Sequence, residues 1–589
     1  MLAIAAPAYM AARWSVAVPQ GDHWYVTTLA WLRHLEGAPW SSLFHHQMND
    51  SRLDAAQFLH YSLAALTGMN TRAESLVCVA LAAISGAGLA WLLRKYQPGG
   101  PALALILAWF CVVVWFTPDQ TMNWMYGVQI PYMLVVAASL GVVLIFATGW
   151  PLAWRVVAAA ACALISTYSF AVGMLAWGLG AACLAFEPEG VRFRSRAWWT
   201  ASLAWVAMTA VTLFTFFQGY VTEVTNTTDT PTLQRLRADP LSFAKYGLSL
   251  LGMPFSKGWL YWNRQESIDF SFALSPWVGA ASLVVFAAVL LAWCRKSQRE
   301  TWGRGQWIFL LIAFWSLAIT AAIALARTGI QISSPFQNRY LALTLWFHFG
   351  LLALLAGLKG TPWNWTRGVW LILLLAGYVV GVFNGIDQGR RDEAHYRTAA
   401  ASAALRHAAP EPMWLDYLAP GIGSRLPGML DTLAANGCLH VPTIKSDLVS
   451  EAARTPEGWY VGSLKQWKLE DGSPCITAWA LDTRTRNAVD AVVISFQTEG
   501  EPERWLGMGQ RRTMVPSSAA KHRSRAVEDR IGWAYIHGKG EDEAFLRPGP
   551  NPFKAKPLPK GKVTFRAYAF DTATGAFSPL KGSCELELP

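Results

Sequence analysis

Long apolar runs separated by short polar segments fill the first 384 residues of the chain. An apolar run of about 17–25 residues is long enough to cross the hydrocarbon core of a bilayer as a helix. Eleven spans are predicted, at 2–19, 74–93, 101–117, 128–148, 156–168, 170–186, 198–218, 276–294, 306–326, 340–358 and 368–384. The pattern therefore predicts a mainly α-helical, multi-pass membrane domain over residues 1–384.

Residues 156–186 are the ambiguous part of this pattern, because 31 residues are too many for one ordinary span and few for two. Arg155 precedes the run, and Arg192, Arg194 and Arg196 follow it. Basic residues favour the cytoplasmic side, so both ends belong on the same side. A tight hairpin that turns near the sequence STYS, residues 166–169, satisfies this requirement.

Basic residues divide unequally between the loops of this arrangement. Cytoplasmic loops hold twelve of them: Arg94, Lys95, Arg155, Arg192, Arg194, Arg196, Arg295, Lys296, Arg299, Arg304, Lys359 and Arg367. The short outer loops hold two, Arg327 and Arg339. The bias predicts a cytoplasmic N-terminus and an extracytoplasmic C-terminal region.

Two long outer loops follow from this topology, at residues 20–73 and 219–275. Each contains an amphipathic segment, 54–68 and 239–255, that is short for a span and is predicted to lie in the outer interface. The alternative, in which 239–255 crosses the membrane, would move the basic cluster 295–304 outside and break the charge rule.

The pattern changes again after the last span. Residues 385–440 begin with a polar helical sequence that runs to prolines, which predicts a solvated, extracytoplasmic helical stalk. Residues 441–589 contain short alternating or apolar segments, such as CITAWALD, AVDAVVISFQ, IGWAYIH and KVTFRAYAFD, separated by Gly, Pro and Asp. That spacing predicts a small extracytoplasmic β-sandwich.

Composition agrees with a membrane protein, since 53% of residues are hydrophobic and 15% are charged. The net charge of +11 does not indicate a nucleic-acid partner, because residues 385–589 are nearly balanced, with 26 Lys+Arg and 24 Asp+Glu. The excess lies between the spans, where topology explains it. The 31 tryptophans fit interfacial belts in contact with membrane lipid, and they also suit sugar binding.

Two acids stand directly at the outer end of a predicted span within a polar cluster, Asp22 and Asp119. A general base must meet a hydroxyl at hydrogen-bond distance, so a rigid position at a helix end suits it. These two are therefore the predicted catalytic carboxylates. His23, next to Asp22, is the weaker candidate.

The second cluster, TPDQTMNWMYGVQIPY at residues 117–132, contains amides and an indole beside Asp119. Gln120, Asn123, Trp124 and Gln129 are predicted to bind sugar hydroxyls and sugar faces. The alternative is an ordinary interfacial turn with its tryptophan belt.

Arg327, Arg339 and Tyr340 mark the facing ends of two late spans and are predicted to bind substrate. An arginine there can hold a phosphate or diphosphate leaving group through paired hydrogen bonds, the alternative being a contact with lipid headgroups.

His45 and His46, in the segment HHQMNDSRLD with Asp50 and Asp54, are predicted substrate contacts in a phosphate-facing loop. A divalent metal is the lesser alternative and a solvated loop another, since no HExxH or paired CxxC motif supports a metal. No P-loop, dinucleotide fingerprint or GxSxG elbow occurs in the sequence.

Residues 1 to about 384 resemble the GT-C class of membrane glycosyltransferases, and more closely the bacterial membrane proteins related to that class. The match consists of an acid after the first span, a long first outer loop, a central hairpin, a loop of the form Q..NW..G.Q (120–129) and an NRY motif (338–340). The sequence departs from the better-known members in lacking a paired acidic motif in the first loop, because Asp22 is followed by His23.

The resemblance implies a polyprenyl-phosphate-linked sugar donor and an extracytoplasmic cell-envelope glycan or lipid as acceptor. It implies that Asp22 takes the acceptor proton, that Asp119 assists or binds sugar, and that Arg339 stabilises the departing lipid phosphate. The expected activity is hexosyl or pentosyl transfer, with the β-sandwich as an accessory domain, either glycan-binding or a spacer.

Three other functions stay open. A transporter or flippase for lipid-linked oligosaccharides would place polar residues along several spans. A non-catalytic membrane anchor for envelope assembly would tolerate replacement of Asp22 and Asp119. Acyl transfer would use His23, but the sequence offers no convincing nucleophile.

Overall fold

The computed structural model describes residues 2–44, 47–97, 100–186, 195–221, 232–262, 265–295, 304–328, 336–468, 474–484, 489–508, 532–537 and 560–588. It is mainly helical, with a small C-terminal region of β-sheet. Seven of the described helices are long and apolar enough to cross a membrane, which supports a multi-pass membrane protein.

The α-helices are α1 (Leu2–Tyr9), α2 (Leu29–Leu35), α3 (Asp54–Thr67), α4 (Thr71–Tyr96), α5 (Pro101–Trp115), α6 (Thr121–Met125), α7 (Ile130–Phe146), α8 (Leu152–Thr167), α9 (Leu175–Ala185), α10 (Arg196–Phe217), α11 (Thr232–Ala238), α12 (Pro240–Ser256), α13 (Gln265–Trp293), α14 (Arg304–Arg327), α15 (Asn338–Gly357), α16 (Thr361–Ala404), α17 (Pro412–Leu418) and α18 (Leu426–Ala435). The strands are β1 (Gln47–Met48), β2 (Ser51–Arg52), β3 (Tyr460–Lys468), β4 (Pro474–Asp482), β5 (Ala491–Thr498), β6 (Arg504–Met508), β7 (Gly532–His537), β8 (Gly561–Asp571), β9 (Ala576–Pro579) and β10 (Cys584–Leu588).

Seven predicted spans coincide with the long apolar helices α4, α7, α10, α13, α14, α15 and α16. Three more coincide with the shorter apolar helices α5, α8 and α9. The break between α8 and α9 falls after Thr167, where the hairpin was predicted. The predicted first span instead consists of α1 and a π-helical turn that ends at Trp14. The number of eleven spans therefore stays a prediction.

The chain divides into two compact units, and the first comprises residues 1–15, 38–62 and 72–389. Helix α15 is its innermost element, because every residue of α15 except Arg339 is buried. It packs against α14 and α12, and its buried His348 places Nε2 2.7 Å from the carbonyl oxygen of Leu251. The first unit is thus a helical bundle built around α15.

Helix α12 differs from the prediction for its segment. It was expected to lie in the outer interface, but residues 249–253 are buried and the helix packs closely along α13. The contact is backbone to backbone: a Cβ added at Gly252 would lie 1.9 Å from the carbonyl oxygen of Ser275, and one at Gly279 2.0 Å from that of Leu248. Glycines that allow such close approach make α12 a member of the bundle.

The second unit comprises residues 16–37, 63–71 and 390–589 and holds two antiparallel sheets. One has the order β10-β8-β5-β6, with β9 paired to β8, and the other has the order β3-β4-β7. Buried residues of both sheets, among them Leu464, Ile494 and Phe565, form one core. The strands β4, β5, β7 and β8 coincide with predicted strands.

The predicted stalk begins as a helix, but the end of that helix is not solvated. Helix α16 continues to Ala404, and residues 399–404 are buried within the second unit. Arg397 pairs with Glu393 at 2.7 Å and with Asp490 at 3.4 Å, and Ile444 N donates to Ala404 O. The run of alanines allows this packing because its side chains are small.

Candidate functional site

A cavity of about 60 Å³ lies in the first unit where four segments meet. These segments are the tip of the β1–β2 hairpin, the turn between α8 and α9, the end of α14 and the start of α15. The lining residues are Asn49, Asp50, Ser51, Phe170, Ala171, Val172, Ala322, Ile323, Ala326, Arg327 and Tyr340. All four segments belong to loops or helix ends for which the same, outer side of the membrane was predicted.

Hydrogen bonds to neighbouring backbone hold the hairpin in place. Gln47 accepts from Val221 N at 2.9 Å, and Arg52 donates to the carbonyl oxygen of Gln218. Ser51 Oγ accepts from Ala171 N at 3.1 Å. Asn49 has φ of +50°, a conformation that asparagine tolerates better than most residues. These restraints place Asp50 at the cavity.

The cavity carries charges of both signs, Asp50 and Arg327. The charge of Asp50 also acts on Tyr220: burial and Asp50 raise the pKa of this phenol, while Arg52 opposes the shift. Arg235 of α11 donates to the carbonyl oxygen of Thr328 at 2.7 Å, next to Arg327. The cavity lining therefore includes one carboxylate and one guanidinium, and Arg235 is bonded to the backbone next to that guanidinium's residue.

Aromatic rings form another part of the cavity. Tyr340 is almost fully buried, and the ring of Phe170 lies 4.7 Å from that of Tyr132. The guanidinium of Arg339 is 5.5 Å from the Tyr340 ring and 5.9 Å from the Tyr132 ring. The structure thus brings the three predicted residues Arg327, Arg339 and Tyr340 to one place.

The predicted sugar-binding amides lie elsewhere, inside the bundle. Gln120, Asn123, Trp124 and Gln129 are all at most 1% exposed. Gln120 donates to Trp115 O at 2.7 Å, and Asn123 donates to Gln120 Oε1 at 2.9 Å and to Asn338 O at 3.1 Å. The Trp124 indole donates to Thr117 O at 2.9 Å. Three of the four are therefore bonded to protein atoms.

Asp119 forms a buried ion pair. Lys257 Nζ donates to both the Asp119 carbonyl oxygen and Oδ1, each at 2.7 Å, and Asn384 donates to the same Oδ1 at 2.5 Å. Burial raises the pKa of Asp119, while the Lys257 ammonium and the hydrogen bonds from Lys257 and Asn384 oppose this shift. In this geometry the carboxylate is engaged with protein groups.

Glycines at every fourth position of α16 make room for this ion pair. Gly377, Gly381, Gly385 and Gly389 face other parts of the first unit at close range. A Cβ at Gly381 would lie 3.2 Å from the Cβ of Asp119, and one at Gly385 2.2 Å from the backbone carbon of Pro118. The loop that carries Asp119 therefore rests directly on the α16 backbone.

Replacing Gly385 by alanine is expected to destabilise the protein by about 1–3 kcal/mol, because backbone atoms must move apart to admit the methyl group. Gly368→Ala in the same helix is the matched control, since nothing lies within 4 Å of a Cβ there. Thermal unfolding in detergent checks this. Equal melting temperatures for the two variants would contradict the close contact.

Asp22 and His23 belong to the second unit. The Asp22 side chain is exposed, and its carbonyl accepts from Val26 N at 2.9 Å, at the start of the π-helical turn Trp24–Thr28. His23 is buried, with Nδ1 3.0 Å from the Thr27 hydroxyl and 3.1 Å from the Thr28 hydroxyl. His45 and His46 lie outside the described residues.

The first unit also contains a buried pair of metal-ligand type, His60 Nδ1 and Glu74 Oε2, at 3.2 Å. An imidazole nitrogen and a carboxylate oxygen are both ligand types that zinc accepts.

Sequence reasoning named Arg327, Arg339 and Tyr340 but missed Lys257, Asn384 and the proximity of Asp50 to Arg327. Two signals were available. Lys257 is a lone cation within the apolar sequence LSLLGMPFSKGWLYW, and glycines recur with a period of four over 377–389. An isolated charge in an apolar run needs a partner, and such a period predicts close helix contacts.

This chain matches no protein-family model, no curated protein and no solved structure. The function must therefore be argued from the geometry of the site.

Proposed function

We propose that the protein is an integral-membrane glycosyltransferase of the bacterial cytoplasmic membrane. It would transfer a hexosyl or pentosyl group from a polyprenyl-phosphate donor to a cell-envelope glycan or lipid outside the membrane. The observation that carries the proposal is the cavity that joins Asp50, Arg327 and Tyr340 at one end of an apolar helical bundle. The resemblance to the GT-C class supports the same reaction.

In this proposal Arg327 and Arg339 bind the donor phosphate, because a guanidinium forms paired, charge-assisted hydrogen bonds with phosphate oxygens. Phe170 and Tyr340 contact the sugar ring, as aromatic faces do. The described cavity is smaller than the roughly 300–1,000 Å³ of a typical ligand pocket. We therefore assign to it the phosphate and the reacting carbon, with the rest of the donor outside it.

Asp50 is the proposed general base. The acceptor hydroxyl gives its proton to the Asp50 carboxylate while its oxygen attacks the anomeric carbon of the donor. The bond between that carbon and the phosphate oxygen breaks, and the polyprenyl phosphate leaves with the electron pair. The arginines stabilise the charge that develops on the leaving group.

Asp50 takes a role that the resemblance gave to Asp22, and the two are competing assignments. Asp119, the other predicted catalytic acid, is assigned a positioning role because Lys257 and Asn384 engage its carboxylate. Gln120, Asn123 and Trp124 are assigned to the same support, since their polar groups bond to protein atoms.

The second unit is proposed to lie outside the membrane as an accessory β-sandwich. Its two antiparallel sheets share one core, as the two faces of a sandwich do. A glycan-binding role would bring the acceptor to the enzyme, whereas a spacer role would not.

Labelling with a photoreactive polyprenyl phosphate tests the proposed donor site. Wild-type protein in nanodiscs should be labelled in peptides that contain Arg327 or Arg339. Arg327→Gln should reduce labelling about tenfold or more, because a charge-assisted phosphate contact is worth about 1.5–3 kcal/mol. Arg196→Gln, an exposed arginine at the start of α10, is the matched control. Equal labelling of the two variants would contradict the site.

One observation favours the transporter instead. Asp119 and Lys257 are charges buried in an apolar bundle, and such charges often mark transport pathways. A transporter moves the lipid-linked sugar intact between leaflets and leaves its bond to phosphate unbroken. Chemical analysis of the donor after turnover separates the two functions.

A further inference from the structure

We propose that Lys257 is a positioning residue that sets the location of Arg339 and Tyr340 through the segment 117–124. Its value for catalysis depends on the proposed function, but the mechanical connection does not. Lys257 is the first residue of a series of hydrogen bonds that runs from the end of α12 to the first turn of α15.

The chain begins with the lysine itself. Its ammonium group bonds to the backbone carbonyl and to the side chain of Asp119, so it fixes both the path and the side chain of that residue. Asn384 holds the same carboxylate oxygen from α16. Asp119 is thereby attached to two separate elements of the bundle, and Gly381 and Gly385 allow the close approach.

Segment 117–124 then behaves as one hydrogen-bonded body. Asp119 N donates to Thr117 Oγ1 at 3.3 Å, and the Trp124 indole donates to Thr117 O. Asn123 bonds to Gln120 at 2.9 Å. A movement of Asp119 must therefore carry the whole segment or break these buried bonds, which is costly in an apolar interior.

The last contacts join this segment to α15. Asn123 donates to the Asn338 carbonyl at 3.1 Å, and the Asn338 side chain donates to the Thr121 hydroxyl. Asn338 is the first residue of α15 and is followed directly by Arg339 and Tyr340. Through these contacts Lys257 sets the positions of Arg339 and Tyr340, although Lys257 itself does not line the cavity.

A buried ion pair suits this task better than an apolar contact. Charges in a low-dielectric interior accept few alternative geometries, because each alternative leaves a charge unpaired. An apolar side chain at position 257 would permit several positions of the 117–124 segment. The pair therefore contributes a defined geometry, and its removal should loosen the segment.

Hydrogen exchange read by mass spectrometry tests the connection in the full-length protein in detergent. Lys257→Met should raise exchange at least tenfold in peptides covering 117–125 and 336–342. Lys257→Arg, which keeps the charge, should give a smaller increase in the same peptides. Ser139→Ala is the control: it breaks the buried Ser139–Ser166 hydrogen bond and should leave both peptides unchanged.

An increase confined to peptides that contain residues 257 or 384 would overturn the positioning role, whatever the protein does.

If Lys257→Met accumulates poorly, Asn384→Leu is the alternative variant. It removes one hydrogen bond to Asp119 and leaves the ion pair, and it should raise exchange in the same two peptides. With the transferase assay, Lys257→Met should raise the donor KM at least fivefold. If the Lys257 variants show the expected hydrogen exchange but the wild-type protein transfers no sugar, the proposed glycosyltransferase activity is refuted. The positioning role of Lys257 would still hold.

Discussion

Asp50→Asn is expected to lower sugar transfer by about 10²–10⁴-fold, the range that a positioned general base contributes. The asparagine keeps the size of the side chain but cannot accept the acceptor proton at neutral pH. Asp50 lines the cavity together with Arg327 and Tyr340, so the loss should affect turnover and leave donor labelling nearly intact. Release of labelled sugar from the donor by protein in nanodiscs measures the rate.

Two further variants are needed to interpret the Asp50→Asn result. Asp22→Asn tests the assignment that the resemblance implies, and only one of the two variants should lose transfer. Asp269→Asn, an exposed acid in α13, is the matched control and should retain the wild-type rate. If Asp50→Asn keeps full activity at normal membrane levels, Asp50 is not the base. A loss in Asp22→Asn alone would return that role to Asp22.

Lys257→Met is expected to destabilise the protein by about 3–5 kcal/mol, because it leaves the carboxylate of Asp119 buried without its charged partner. Both side chains are almost fully buried, and the ion pair measures 2.7 Å. Asp119→Leu should have a comparable effect, since it leaves the ammonium group unpaired. Denaturant or thermal unfolding in detergent measures the changes.

The double variant Asp119→Leu with Lys257→Met distinguishes an ion pair from two independent contacts. Removing both charges restores an uncharged interior, so the double variant should be more stable than either single variant. The comparison needs unfolding transitions of the same shape in all variants. A double variant whose loss equals the sum of the two single losses would show that the residues do not act as a pair.

The long apolar runs predicted most of the helical architecture, because length and composition decide whether a segment can cross a bilayer. The break near Tyr168 followed from arginines at both ends of one long run. The first span and helix α12 were predicted less well. A proline at position 7 lies within α1, and the packing of α12 depends on Gly252 and Gly279. Close backbone contacts of this kind depend on two distant segments, so neither segment predicts them alone.

The site was predicted in part for a similar reason. Arg327, Arg339 and Tyr340 could be named because they stand at helix ends on the predicted outer side. The proximity of Asp50 depends on a hairpin that Gln47, Ser51 and Arg52 tie to other loops, and such pairings are not visible along the chain. The polar residues at 119–124 are compatible with burial inside the bundle and with sugar binding. Amide side chains form hydrogen bonds in both settings, so the sequence alone does not distinguish them.

The most direct test of the central claim follows a lipid-linked sugar in proteoliposomes that contain the wild-type protein. The donor is isotope-labelled in both its sugar and its polyprenyl phosphate, and an envelope-glycan extract supplies the acceptor. A glycosyltransferase should release free polyprenyl phosphate in step with the sugar that appears on the acceptor, and Asp50→Asn should lower both by about 10²–10⁴-fold. Donor that stays intact, whether it remains in place or moves to the opposite leaflet, would contradict the proposed transfer.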